Sequence, residues 1–257
     1  MISVVKYDQK RLDMVRWVSN SVRRLNTGYY NYLILFLVIL FAFRPYDKGI
    51  AYLAIWKTVF TITLFTALFN CKHRYKVKII AAVFAVPTFV FSWLELAYTS
   101  EVTFILNVVF TLGFLWVCTA SILYDVIMNA KVTLETLKGV VCAYFMFAFF
   151  FAYLYYLIEF LLPGSFNLLV RDVSFVTYSR NLSQMMYFSF ITLLTIGFGD
   201  ITPLRDIAQS CVIMEGIVGQ FYVAILVARI VSVYSMYAIY ADRKFFARMK
   251  KTHSGKK

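Results

Sequence analysis

The sequence predicts an all-α polytopic membrane protein with six transmembrane helices and one shorter re-entrant helix. Of the 257 residues, 61% are hydrophobic and 15% are charged, whereas soluble domains are roughly half apolar and a quarter charged. The apolar residues form long blocks, most of them near the ~20 residues that a helix needs to cross the bilayer. An aromatic content of 19% excludes a disordered chain, and four cysteines are too few for a disulfide scaffold.

Six apolar blocks are expected to span the membrane, and the first of them is short. In chain order they are Tyr29–Phe43, Ile50–Asn70, Ile79–Tyr98, Val102–Met128, Gly139–Leu162 and Arg205–Tyr237. These blocks divide the chain into an amphipathic N-terminal segment (1–28), a peripheral four-helix bundle (29–128), a linker (129–138), a two-helix module (139–240) and a basic tail (241–257).

The distribution of positive charge predicts the orientation. The net charge is +13, and 19 lysines and arginines lie on one side of the predicted spans against five on the other. Cytoplasmic segments of membrane proteins accumulate these residues, so both termini are predicted to be cytoplasmic, at a plasma membrane and most simply a bacterial inner membrane. The basic termini could also contact anionic lipid, although the orientation bias alone explains them. No nucleic-acid-binding pattern accompanies the charge.

The connection between the fifth and sixth spans differs from the other connections. It runs from Pro163 to about Leu204 and contains Asn181 followed three residues later by Gln184, a pattern typical of a helix start. The apolar segment Leu182–Leu194 that follows is about 20 Å long at 1.5 Å per residue. This length is too short to cross the bilayer, so we expect a re-entrant half-helix.

The half-helix continues directly into the sequence T-L-L-T-I-G-F-G-D, residues 192–200. The segment resembles the signature T-x-x-T-x-G-[YF]-G-D of the tetrameric potassium-channel family, and the resemblance extends from the fifth span through the sixth. It implies a homotetramer in which the fifth span, a pore helix, a selectivity filter and the sixth span form the pore. Spans one to four match the family only in number and position.

The resemblance implies a role for each filter residue. Thr195, Ile196, Gly197, Phe198 and Gly199 would bind potassium, the permeant ion, through backbone carbonyls, with no other cofactor or metal. The two glycines would allow the required backbone conformations, while the side chains of Ile196 and Phe198 would wedge the filter against its half-helix. Thr192 would support the filter, and Asp200 would attract cations at the outer mouth. Phe198 stands where Tyr is commoner, which leaves a weakly selective cation channel as an alternative.

The sixth span carries three residues of interest. Glu215 either faces the cavity or lies behind the filter, hydrogen-bonded to the half-helix near Ser189; its position one turn before Gly219 favours the second placement. Gly216 and Gly219 could form a hinge, with Gly219 at the place the family implies, or they could serve close helix packing. The expected inner pore lining consists of small apolar residues, namely Val223, Ala224, Val227 and Ala228.

The remaining features limit the function further. The fourth span contains no lysine or arginine, so steep voltage gating is not expected. Lys57, Glu95 and Glu159 lie in the outer parts of spans and are expected to form buried pairs between the peripheral helices and the pore, because unpaired charges there are costly. No catalytic constellation supports an enzyme. A non-conducting membrane scaffold or sensor remains the other alternative to a channel.

Overall fold

The computed structural model describes residues 30–43, 50–70, 75–98, 100–128, 134–168 and 176–228. Within these ranges the chain is almost entirely helical. The elements in chain order are α1 (Tyr30–Ala42), α2 (Ile50–Asn70), α3 (Tyr75–Ala97), α4 (Glu101–Met128), α5 (Leu134–Leu161), β1 (Phe166–Asn167), α6 (Val176–Leu193), β2 (Thr202–Pro203) and the described part of α7 (Asp206–Ala228). The predictions for segment 1–28 and for tail 241–257 lie outside the described residues.

Among the described residues, five helices are long and apolar enough to cross a membrane: α2, α3, α4, α5 and α7. The described part of α1 is apolar and has 13 residues, fewer than the ~20 needed to span the hydrocarbon. Predicted and observed bounds agree closely for α2 and α4. The α5 helix begins at Leu134, inside the predicted linker, because Leu134–Lys138 adds a polar first turn to the apolar block.

Two helices of the peripheral bundle, α1 and α4, pack against α5 of the same chain. The α4 helix lies along both α3 and α5, and α1 contacts α2 and α5. One face of α1 is fully covered, since Leu33, Leu37 and Leu40 recur at helical spacing and are almost wholly buried. The first four helices and the two-helix module therefore share one continuous apolar core within a single chain.

A buried ion pair joins two helices of the peripheral bundle; the sequence predicted buried pairing of its charges, but between the peripheral helices and the two-helix module. The Lys57 Nζ of α2 lies 3.0 Å from Glu95 Oε2 of α3 and donates to the Ser92 carbonyl at 2.6 Å. Asn107 of α4 donates its amide to the same Glu95 oxygen at 3.0 Å. The third charge, Glu159, binds backbone amides instead, as described below.

The predicted start of the half-helix was wrong. Asn181 does not begin a helix, because α6 extends back to Val176 and Asn181 lies inside it. An Asn followed by Gln is compatible with a helix interior as well as with a cap, so the pattern alone could not place the end. The helix has 18 residues, or about 27 Å at 1.5 Å per residue.

A short pair of strands also departs from the all-helical prediction. Strand β1, just after α5, pairs antiparallel with β2, just after the filter motif, with Phe166 opposite Pro203 and Asn167 opposite Thr202. Phe166 is fully buried, and its ring packs against Tyr155 of α5 and Phe188 of α6. The pairing fixes the outer end of the two-helix module around the segment that carries the motif.

Candidate ion-conduction site

The predicted filter segment is attached to the end of α6 by backbone hydrogen bonds. The Ile191 carbonyl accepts from the Ile196 amide at 2.8 Å and, more weakly, from the Gly197 amide at 3.4 Å. The Thr195 amide donates to the Thr192 carbonyl at 2.9 Å. The last carbonyls of a helix have no partner within the helix itself, so the beginning of the filter segment satisfies them and is held close beneath the helix.

The backbone of the segment alternates between left-handed and ordinary residue conformations. Thr195, Gly197 and Gly199 have positive φ values of 57°, 57° and 78°, whereas Ile196 and Phe198 between them do not. A strand turns successive carbonyls to opposite sides, and an alternation of left-handed and ordinary residues brings them toward one side. The glycines were expected to have this freedom; the left-handed Thr195 was not, because a β-branched residue rarely adopts such a conformation.

The side chains of Ile196 and Phe198 are only partly covered by the described residues, so their expected wedging against the half-helix stays a prediction. They are 49% and 68% exposed within the single chain. The reason is that the segment lies at an open edge of the chain. The α6 side chains next to it, Ile191 and Leu193, are already buried in the core. None of the other described residues of this chain covers Ile196 and Phe198 fully.

Asp200 is held in place at the end of the segment. Its Oδ2 accepts from the Tyr187 hydroxyl of α6 at 2.7 Å, and its Oδ1 accepts from the Ile201 amide at 3.0 Å. The sequence did not predict that Tyr187 binds Asp200, because no local pattern relates two side chains 13 residues apart. Asp200 is only partly exposed, so its negative charge lies fixed beside the outer end of the filter segment. The expected ring of four such charges stays a prediction.

Glu159 organises the outer loop. Its two carboxylate oxygens accept from the amides of Gly164 and Phe166, each at 2.9 Å. The loop is tied in turn to the chain beyond the filter segment, since the Leu204 amide donates to the Ser165 carbonyl at 2.7 Å. A carboxylate on α5 thus supports β1 and, through the strand pair, the outer end of the filter segment.

Behind the segment, Glu215 of α7 lies fully buried. Its Oε2 accepts from the Tyr155 hydroxyl of α5 at 2.6 Å, and its Oε1 lies within hydrogen-bonding distance of Ser189 Oγ of α6. Ser189 Oγ also lies 2.7 Å from the Ala148 carbonyl of α5. The structure therefore places Glu215 behind the filter segment, at a junction of three helices, and not on an open surface.

The inner end of the segment rests on a second junction. The Tyr144 hydroxyl of α5 donates to the Leu193 carbonyl at 2.9 Å, and the Tyr222 ring of α7 packs beside Tyr144 with centroids 5.5 Å apart. Gly219 lies directly against the same carbonyl: a Cβ added there would be 2.9 Å from the Leu193 oxygen. This contact supplies a packing reason for glycine at 219, while a hinge at this position stays a prediction.

Gly219→Ala is expected to destabilise the folded chain by about 1–3 kcal/mol, because an added methyl at a close-packed contact forces a backbone shift. That cost exceeds the gain of about 1 kcal/mol in helix propensity. Gly216→Ala is the matched control, since no described atom lies within 4 Å of an added Cβ there. Thermal unfolding in detergent measures both variants; equal stability of the two would remove the packing argument.

The predicted inner-lining residues Val223, Ala224, Val227 and Ala228 are all exposed in the single chain. They share the uncovered side of α7 with the exposed Gln220, which no sequence pattern singles out. An amide exposed to lipid would be costly, so this side of α7 suits contact with water or with another protein surface better than contact with lipid.

Comparison with known proteins adds one positive finding. Residues 115–236 match a protein-family model described as "Ion channel". The matched region includes α5, α6, the filter segment and the described part of α7, so the contacts described above lie within it. No curated protein matches the chain, and no solved structure matches it. The five span-length helices among the described residues indicate a multi-pass membrane protein, and the match supports an ion-channel domain at residues 115–236.

Proposed function

We propose that four copies of this chain form a potassium-selective channel that conducts passively and without steep voltage gating. The observation that carries the proposal is the alternating backbone of Thr195–Gly199. A dehydrated cation must exchange its water for protein oxygens, and stacked backbone carbonyls around an axis provide such oxygens. A filter strand on a single chain cannot surround an ion, so the function requires copies arranged about a symmetry axis.

The uncovered side of α7 supports the assembly of several copies. Of the most apolar stretch of α5, 67% is buried within the chain, whereas the corresponding share for α7 is 11%. The exposed side chains of Ile196 and Phe198 lie in the same part of the chain. A tetramer would cover these groups with neighbouring copies and leave one side of α7 facing water. Val223, Ala224, Val227 and Ala228 would then line the inner pore.

The proposal that voltage does not gate the channel steeply is based on α4, whose sequence contains no lysine or arginine. Moving a charge through the membrane field is what makes opening depend on voltage. We further propose a plasma membrane as the location, with both termini cytoplasmic, from the distribution of basic residues. Contact of the basic termini with anionic lipid also stays a prediction.

The test is the reversal potential of the purified protein in a planar bilayer, with potassium on one side and sodium on the other. We expect a reversal potential far toward the potassium equilibrium value and a conductance that changes little with voltage. A clear current that reverses near zero would instead establish a weakly selective cation channel. Images of the same purified particles should show fourfold symmetry; monomeric particles without current would favour the scaffold alternative.

A further inference from the structure

Ser189 occupies a position between two hydrogen-bond acceptors. Its Oγ lies 2.7 Å from the Ala148 carbonyl and also within hydrogen-bonding distance of Glu215 Oε1. A serine hydroxyl has one proton, so it can donate to only one of them. If Ser189 donates to Ala148, the contact with Glu215 requires a proton on the glutamate. If Ser189 donates to Glu215, its oxygen faces the Ala148 carbonyl with no proton between them, and no hydrogen bond forms there.

The surroundings of Glu215 favour the first arrangement. The carboxyl group is fully buried within a membrane helix, and no lysine or arginine among the described residues forms an ion pair with it. A buried carboxylate without a cation is far more costly than a neutral acid. With a proton on Oε1, every group has its partner: Tyr155 donates to Glu215, Glu215 donates to Ser189, and Ser189 donates to Ala148.

The described groups that face Glu215 carry no charge at neutral pH. Tyr155 and Tyr144 of α5 are the ionisable side chains on that helix that interact with it, and Cys211 lies one turn away on α7. From α6 the contact is the neutral Ser189. Tyrosine and cysteine are uncharged near pH 7, so none of these groups compensates a negative charge on Glu215.

We propose that Glu215 keeps its proton in the folded channel and acts as a positioning residue for the filter, by donating a hydrogen bond to Ser189. The chain of hydrogen bonds joins α7 through α6 to α5, directly behind the segment that begins at Thr195. When hydroxide removes the proton at alkaline pH, the carboxylate accepts from Ser189. The serine hydroxyl then turns away from the Ala148 carbonyl, and the tie between α6 and α5 is broken. The effect on conduction rests on the proposed channel function; the protonation does not.

The first measurement is the infrared difference spectrum between the wild-type chain and Glu215→Gln, both reconstituted in lipid at neutral pH. All other carboxyl groups cancel in the difference. We expect the carbonyl band of a protonated carboxylic acid in the wild type, and we expect the same band in Tyr155→Phe, which removes a donor but not the proton. A difference spectrum with only carboxylate bands would overturn the proposal, whether or not the protein conducts.

The second measurement is the pH profile of potassium flux. Glu215→Gln should conduct within about twofold of the wild type at neutral pH, since one neutral hydrogen-bonding group replaces another. It should also lack the alkaline loss of flux that the wild type shows. Glu215→Ala, which cannot donate to Ser189, should conduct poorly at every pH. A large loss in Glu215→Gln at neutral pH would show that the charge is needed and would contradict the proposal. If the wild type shows no flux, the channel function fails and the infrared result alone decides.

Discussion

Gly197→Ala is expected to abolish selective potassium flux while leaving the rest of the chain folded. Gly197 has a φ of +57° in the middle of the filter segment. An alanine in the left-handed region costs roughly 1–2 kcal/mol per residue, and a tetramer would contain four such residues at one level of the pore. If the alanine relaxed to an ordinary conformation, the adjoining backbone carbonyl would turn away from the pore axis. That level of the filter would then lose its potassium ligands.

Thr195 shows how such a conformation can be forced on a residue with a side chain. It has the same φ of 57°, and its amide is held at 2.9 Å by the Thr192 carbonyl. The amide of Gly197 makes only a 3.4 Å contact with the Ile191 carbonyl. The restraint on residue 197 is therefore weaker, and an alanine there has more freedom to relax into an ordinary conformation.

The measurement is the reversal potential between potassium and sodium, with single-channel conductance recorded at the same time. Val83→Ala is the control, because Val83 lies exposed on α3, in the peripheral bundle and outside the proposed pore; it should conduct like the wild type. Size-exclusion chromatography checks that both variants assemble. Unchanged selectivity and conductance in Gly197→Ala would remove Thr195–Gly199 as the ion path.

Lys57→Met is expected to produce the largest loss of stability in the peripheral bundle. Lys57 and Glu95 are largely buried and 3.0 Å apart, and removing the ammonium group leaves the Glu95 carboxylate with only the amide of Asn107 among its described partners. Breaking a buried pair from one side typically costs about 3–5 kcal/mol, because the remaining charge stays buried without compensation. The Ser92 carbonyl also loses its contact with the ammonium group.

Replacing both charges should recover most of this loss, since two apolar side chains of similar volume can occupy the site of a buried pair. The Lys57→Met, Glu95→Met double variant should therefore unfold at a higher temperature than Lys57→Met alone. Lys76→Met is the control, because Lys76 is exposed near the start of α3 and exposed charges contribute about 1 kcal/mol or less. A Lys57→Met variant as stable as Lys76→Met would contradict the expectation.

The location of the filter segment and of most helices could be predicted from the sequence because both depend on neighbouring residues. Long apolar blocks are enough to identify α2 and α4, since the bilayer sets the length of a spanning helix. Glycines at 197 and 199 are informative because positive φ is a property of a single residue. The sequence pattern placed the start of the half-helix at Asn181, whereas α6 begins at Val176. The same local pattern occurs both at helix ends and within helices, so it could not locate the start.

Contacts between distant parts of the chain were decided by the tertiary structure. Tyr187 with Asp200, Tyr144 with Leu193, and the meeting of Tyr155, Ser189 and Glu215 depend on how α5, α6 and α7 cross. Crossing positions follow from packing over whole helix faces, and no short pattern encodes them. The sequence by itself therefore determined the membrane class, most helices and the position of the proposed filter segment. Only the packed structure decided which side chains support that segment, because partners far apart in the chain meet only when the helices are in place.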